Sequence, residues 1–263
     1  MVGTQKDEDR RPKTENQILT ENDFYWRESG DGLKILVCRA LEEKGFVNGF
    51  SSRLGGVSSI PREALNLSGF DIDTPDNVAE NRRRFLRAFD RGDFQIVTAW
   101  QVHGGDVKII KNSAEAQETD EYFDALASDL PGILIGVKTA DCVPVLLHDA
   151  TAGVVGAVHA GRPGMMAGIV PTAVRRMRAL GATEVRAVLG PSVCAGCYEV
   201  PGDLAQAAAA VSPASAARSR SGTPAIDVAA GVVEQLAAEA VPVQRIAGCT
   251  REEQELYSYR REA

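Results

Sequence analysis

The chain has 263 residues, 44% hydrophobic and 25% charged, the make-up of a soluble globular protein with enough length for a sizeable core. A net charge of −7 speaks against a groove that holds nucleic acid through its phosphates. No apolar run reaches the roughly 18 residues that a membrane-spanning helix needs.

The chain opens on MVGTQKDEDRRPKTENQ, which is polar and lacks the apolar stretch of a signal peptide. Residues 1–22 are expected to be a disordered tail, residues 23–263 a single domain, and the protein cytoplasmic. LKILVCRAL and GFVNGFSSR read as two strands turned at EEKG, followed by a loop, SSRLGGVS, whose paired glycines free the backbone. A helix is predicted from DTPDN onward. Asp73 or Thr74 would cap it, Pro75 suits its first turn, and Val78, Phe85, Leu86 and Phe89 share one face. The arginines of NRRRFLRAF and, later, of VRRMRAL fall on wet helix faces. FQIVTAWQVHG and DVKII read as a strand pair broken at HGGD. ILIGVKTADCVPVLLHD reads as two apolar strands around a polar break, and AGVVGAVHAG as another strand. A helix then runs to Leu180 and stops at Gly181, with Pro171 near its start, and EVRAVLG is a further strand. DLAQAAAAV and DVAAGVVEQLAAEAV are helices, the second capped by Asp227. Between them SPASAARSRSGTPA reads as a surface excursion. Strands alternate irregularly with helices, which predicts an α/β (α+β) domain of mixed sheets flanked by helices rather than a regular βαβ series.

Five cysteines in a reducing compartment argue against a disulfide framework. Cys38 and Cys249 read as buried core thiols. Cys194 and Cys197 form one C-x-x-C, and without a second such pair a four-cysteine zinc site is not expected. There are three histidines. His148 reads as a residue of a surface turn. His103 and His159 each end a strand and meet a glycine, and Cys142 sits in the polar break between them. Two imidazoles and a thiolate are a known catalytic zinc set with one position left open. Spacing alone leaves this beside two alternatives. One has hydrogen-bonded turn histidines with Cys142 as buried filler. The other has Cys142 as a nucleophile with His159 as its base, oriented by Asp141 or Asp106. Asp141 is a candidate partner for a ligand imidazole, and Lys138 reads as solvated. Arg53 in the Gly-Gly loop is a candidate anion clamp, as is Arg260 in YSYRR. No nucleotide-binding glycine fingerprint is present.

SSRLGGVS, LNLSGFDIDTPDNVAENRRR, QVHGGDV, DALASDLPGILIGVKTADCVPVLLHD, GVVGAVHAG, LGPSVCAGCYEV and YSYRR follow one another as they do in a known family. Over roughly residues 30–261 the chain resembles the YfiH/YlmD family, also called polyphenol-oxidase-laccase-like or peptidoglycan editing factor. The resemblance implies a single domain like that of cysteine hydrolases related to the cytotoxic necrotizing factor catalytic domain. It implies zinc on the positions of His103, Cys142 and His159. It also implies phosphorolysis of adenosine, inosine and methylthioadenosine, and deamination of adenosine. Other members are described as copper polyphenol oxidases or as editing cytoplasmic peptidoglycan precursors. The family's usual H-A-G-W-R-G is here HAGRPGM, with Arg162 in place of tryptophan and Pro163 in place of the following arginine. Arg162 is therefore expected to supply the displaced cation one position early.

Chemistry narrows these activities. A multicopper oxidase uses about ten histidines across its copper sites, so the laccase activity and copper are not favoured. Zinc with an open position activates water, which suits deamination. Phosphorolysis needs an anion clamp, for which Arg53, Arg260 and Arg162 are candidates. The expectation is a zinc-dependent purine nucleoside enzyme, with nucleoside and phosphate as small-molecule partners, no nucleic acid and no membrane. In it Cys142, Asp141 and Arg53 serve catalysis. A cysteine hydrolase of peptidoglycan precursors and a non-catalytic partner of the cell-wall or division machinery are the alternatives, and no protein partner is identified.

Overall fold

The structure, a computed structural model, describes residues 17–18, 23–59, 64–67, 73–98, 100–112, 115 and 121–262. In chain order the elements are β1 (Gln17–Ile18), β2 (Phe24–Glu28), β3 (Lys34–Cys38), α1 (Arg39–Glu42), β4 (Phe50–Ser51) and α2 (Pro75–Arg87). Then come β5 (Gln95–Thr98), β6 (Val107–Ile110), β7 (Ala125–Ser128), β8 (Ile133–Gly136), β9 (Val143–Asp149), β10 (Val154–Ala160), α3 (Arg162–Met166) and α4 (Ile169–Ala179). The chain continues through β11 (Arg186–Leu189), α5 (Gly202–Val211), β12 (Ala216–Arg218), β13 (Pro224–Ile226), α6 (Val228–Ala238), β14 (Val243–Arg245) and α7 (Tyr259–Glu262).

Among the described residues, seven strands make one mixed sheet in the order β1-β14-β11-β9-β10-β7-β6. Its centre, from β11 through β9 and β10 to β7, is antiparallel, and β6, β14 and β1 extend the two edges in parallel. VPVLLHD and VVGAVHA are near-continuous apolar strands because both faces of this sheet are covered. On one face Val145, Leu147 and Val158 pack against Met165, Ile169 and Met177 of α3 and α4 and against Val232 and Leu236 of α6. Gly156 permits this approach, since a Cβ there would stand 2.9 Å from Met177 Sδ. On the other face Leu146 and Ala157 meet Val97 of β5 and Ile135 of β8, while Val188 and Ile246 meet Leu36 and Phe50. The layers are therefore helices, the large sheet, and two small sheets, β2-β3-β4 and β5-β8. This is the mixed α/β class expected from the sequence. No described helix is long and apolar enough to cross a membrane.

The local signals explain most elements. Thr74 accepts the Asn77 N–H at 3.3 Å and caps α2, whose Val78, Phe85 and Leu86 are buried. Asp227 accepts from the Ala230 N–H at 2.9 Å and caps α6. Gly168, at φ 74°, divides the helix expected before Gly181 into α3 and α4.

Several expectations need correction. β5 and β6 are not partners: β5 pairs with β8 and β6 with β7, because the 100–105 loop carries the chain from one layer to the other. Within LKILVCRAL the RAL portion turns into α1, burying Leu41. The 212–225 stretch is not a plain surface excursion, for it holds the β12–β13 hairpin and buries Ser212 and Ser215. In the tail expected to be disordered, Gln17–Ile18 pairs with β14, and residues 1–16 and 19–22 lie outside the described residues. His148 is not in a surface turn. It is buried in β9, its ring 5.7 Å from that of Phe46, and its Nδ1 has no hydrogen-bond partner among the described residues.

Candidate metal centre

The antiparallel register sets the site. His159 pairs with Pro144 and Ala160 with Val143, so continuing the ladder puts Cys142 opposite Gly161. His159 has the strand parity of Ala157 and lies on the side of the sheet that faces the small sheets, buried at 3% exposure. His103 arrives from the loop after β5. It does not end a strand, as expected, but sits beyond Thr98 with φ 59°. Two devices bring that loop in. Gln101 brackets the backbone of Lys138, donating to its carbonyl and accepting its N–H, each at 2.7 Å. Asp124, at the head of β7, accepts the N–H groups of Val102, His103 and Gly104 at 3.1, 2.9 and 2.7 Å. Its other duty is to His159, whose Nδ1 lies 2.7 Å from Asp124 Oδ1. With Nδ1 donating to that carboxylate, His159 Nε2 keeps its lone pair for the site.

The product is a cluster in which one ligand atom each of His103, Cys142 and His159 lies within 4.8 Å of the others. Cys142 Sγ is 3.6 Å from His103 Nε2, and the two imidazole rings meet edge-on at 4.7 Å. Gly161 completes the fit. A Cβ there would stand 2.7 Å from His103 Cδ2 and 2.9 Å from Cys142 Sγ. Burial first, and then the charges of His159 and Arg162, hold His103 below the usual imidazole range, so it is a neutral donor at pH 7. Burial and the carboxylates of Asp141 and Asp124 push the Cys142 thiol up to about 12. Burial would raise Asp124 too, but the bond from His159 and the N–H donors outweigh it and keep the group ionised. Two imidazoles, a thiol that needs a cation to ionise, and a graded exposure from His103 to His159 fit a soft-to-borderline divalent ion with an accessible coordination position.

Asp124 organises the cluster, and nothing local in FDALASDL marks its aspartate. Asp141 does not bond a ligand imidazole as expected, nor does Asp106. The Asp141 carboxylate instead accepts Thr250 Oγ1–H at 2.7 Å and the Arg260 N–H at 2.8 Å, and its carbonyl accepts the Val193 N–H at 2.9 Å. These bonds hold Asp141 at φ 96°, a strained value for a non-glycine residue, and so aim Cys142. Of the expected anion-binding arginines, Arg162 follows Gly161 at the head of α3 and its charge reaches His103. Arg53 is engaged elsewhere, 2.7 Å from Glu262. The Arg260 guanidinium lies 4.3 Å over the Tyr198 ring. An apolar-lined cavity of about 810 Å³ touches Thr139 and Ala140 but none of the three clustered side chains. Convergent polar groups, not cavity size, mark the site.

Residues 47–263 match the family described as multi-copper polyphenol oxidoreductase laccase. The chain belongs to this family, the YfiH/YlmD family. A family member named purine nucleoside phosphorylase, from Streptomyces coelicolor, is 45% identical over 81% of this chain and 89% of its own. The Escherichia coli purine nucleoside phosphorylase YfiH is 36% identical over 87% of this chain and 94% of its own. Among solved YfiH/YlmD structures, YlmD from Geobacillus stearothermophilus superposes with a TM-score of 0.77 at 27% identity, covering 87% of this chain and 91% of that one.

Proposed function

We propose that the chain is a zinc-dependent purine nucleoside enzyme that cleaves adenosine, inosine and methylthioadenosine with inorganic phosphate and also deaminates adenosine. The convergence of His103, Cys142 and His159 carries this reading. The relatives named purine nucleoside phosphorylase support the substrate class. His103 and His159 would hold the ion through Nε2 and Cys142 through its sulfur. When bound there, zinc supplies Lewis acidity and lowers the pKa of water towards about 7. Asp124 fixes the His159 tautomer and the His103 loop. Asp141 serves by aiming Cys142. Arg162, at the head of α3 beside Gly161, would meet phosphate or ribose, and Arg53 would join it only by leaving Glu262. With three histidines the chain falls short of the roughly ten that a multicopper oxidase uses, despite the family's description.

Metal analysis of the purified protein, with a nucleoside panel assayed with and without phosphate, tests the reading. Free base with ribose 1-phosphate marks the phosphorylase, inosine from adenosine the deaminase, and the metal assay tells zinc from copper. Cys142→Ala is expected to lose one bound ion per chain and nucleoside turnover together. Full retention of both sinks the assignment. The 3.6 Å approach of Cys142 to His103 favours a second reading, a cysteine hydrolase of peptidoglycan precursors. Against it stands the thiol raised to about 12, the reverse of an activated nucleophile. Chelator-insensitive activity with a covalent adduct on Cys142 would select it.

A further inference from the structure

Cys249 is a buried thiol, as expected, and it lies beside the C-x-x-C pair. In PSVCAGC the residues Ala195–Cys197 form a single 3-10 turn, closed by the Cys197 N–H donating to the Cys194 carbonyl at 2.9 Å. That turn folds Cys194 and Cys197 back on each other. Cys249 comes from 52 residues further on (249 − 197), through a parallel bridge to Ser192 and a 3.2 Å bond from the Thr250 N–H to the Ser192 carbonyl. The Cys194 N–H donates to Cys249 Sγ at 3.4 Å, and Cys197 Sγ donates to Glu252 Oε1 at 3.5 Å. One ligand atom from each of Cys194, Cys197, Cys249 and Glu252 lies within 4.8 Å of all the others.

We propose a second metal centre, in which Cys194, Cys197, Cys249 and Glu252 bind a zinc ion. Tetrahedral zinc with sulfur ligands about 2.3 Å away sets its sulfurs about 3.8 Å apart, within the span seen here. Apolar packing explains a buried thiol one at a time. It does not explain three thiols and a carboxylate gathered on one point, nor a backbone N–H aimed at a sulfur. Three thiolates favour a soft-to-borderline ion over magnesium or calcium. With Glu252 as the fourth donor the shell is closed, so the centre is structural rather than catalytic. The excess negative charge has a counterpart in Arg220, which pairs with Glu252 and whose N–H donates to the Gly196 carbonyl at 3.2 Å. The ion would thus fasten the 194–197 turn, the 249–252 turn and the tip of the β12–β13 hairpin. Val193, which precedes the first of these turns, and Thr250, which lies in the second, are the residues that hold Asp141 beside Cys142. The second centre therefore braces the first.

Zinc analysis of the full chain, purified under reducing conditions and reconstituted with zinc, reads the stoichiometry. The wild type is expected to hold two ions per chain and Cys142→Ala one. Cys142→Ala combined with Cys194→Ser and Cys197→Ser is expected to hold none. Cobalt loaded into Cys142→Ala should give the intense sulfur-to-metal charge-transfer absorption of several thiolates on one tetrahedral ion. Should the serine variant misfold, Cys142→Ala still decides the matter: a thiol reagent should reach its cysteines about tenfold faster after chelation. Zinc-free Cys142→Ala, a disulfide between any two of the three cysteines in its peptide map, or unchanged zinc in the triple variant each overturns the proposal. Failure of the His103–Cys142–His159 centre looks different, with one ion in both wild type and Cys142→Ala.

Discussion

Asp124 is the residue on which the candidate centre turns. It accepts three consecutive backbone N–H groups of the His103 loop and orients His159, so one carboxylate sets the placement of two ligands. Asp124→Asn keeps the shape but sets an amide where N–H donors converge. Zinc affinity is expected to fall about 10- to 100-fold with the fold retained, as measured by competition with a chelator. An unchanged affinity would show that the loop holds itself. His148 offers a separate test of burial. Desolvation first, then the charges of Lys44 and Arg186, hold its imidazole near 4 in the folded protein, against an ordinary 6.5. The unfolded chain therefore takes up its proton at a higher pH than the folded one. Stability from this group is intact above pH 6.5, is lost as pH falls from 6.5 towards 4, and changes no further below that. The full loss is about 3 kcal/mol. His148→Met is expected to flatten the fall in denaturation midpoint between pH 7 and 4.5. A slope equal to wild type would assign the acid sensitivity to other groups.

At the scale of elements, the β9–β10 register decides which residues meet. Pairing of His159 with Pro144 sets Cys142 across from Gly161, where the absence of a side chain leaves room for His103 and the thiol. Gly161 has φ −73° and ψ 170°, a backbone that alanine adopts freely. The cost of Gly161→Ala must then fall on the ligand side chains and not on the main chain. Zinc affinity is expected to drop about 10-fold or more with little change in thermal midpoint. A large loss of stability with metal binding intact would contradict this placement. The 100–105 loop shows a related lesson. It has the look of a hairpin turn between two strands, yet it bridges layers, and only the bonds of Gln101 and Asp124 give it its path.

Across the whole molecule, the candidate centre joins three segments from different parts of the fold: the loop after β5, the entry to β9 and the end of β10. A ligand that binds only the folded state stabilises it, by about 4 kcal/mol at a thousandfold excess over its dissociation constant. For a chain of this size that amounts to a midpoint shift on the order of 10 °C. Chelation is expected to lower the thermal midpoint of the wild type by about that amount more than that of Cys142→Ala, which keeps only the Cys194–Cys197–Cys249–Glu252 ion. Equal shifts in the two proteins would mean that the His103–Cys142–His159 cluster holds no stabilising ion.

Sequence by itself determined the local elements and the α/β class. Caps at Thr74 and Asp227, the apolar runs of β9 and β10, and the helix stop at Gly181 act through neighbours in the chain, so they are legible without a fold, whereas the division at Gly168 is not. The residue types of the candidate centre were legible too, because only three histidines and few cysteines are available to choose from. Tertiary structure alone decided the partners. It chose Asp124 over Asp141 for the imidazole, engaged Arg53 with Glu262, buried His148, and brought Cys249 to the C-x-x-C pair. Each of these depends on register and layer packing between segments distant in sequence, and no periodicity within one segment encodes such a meeting.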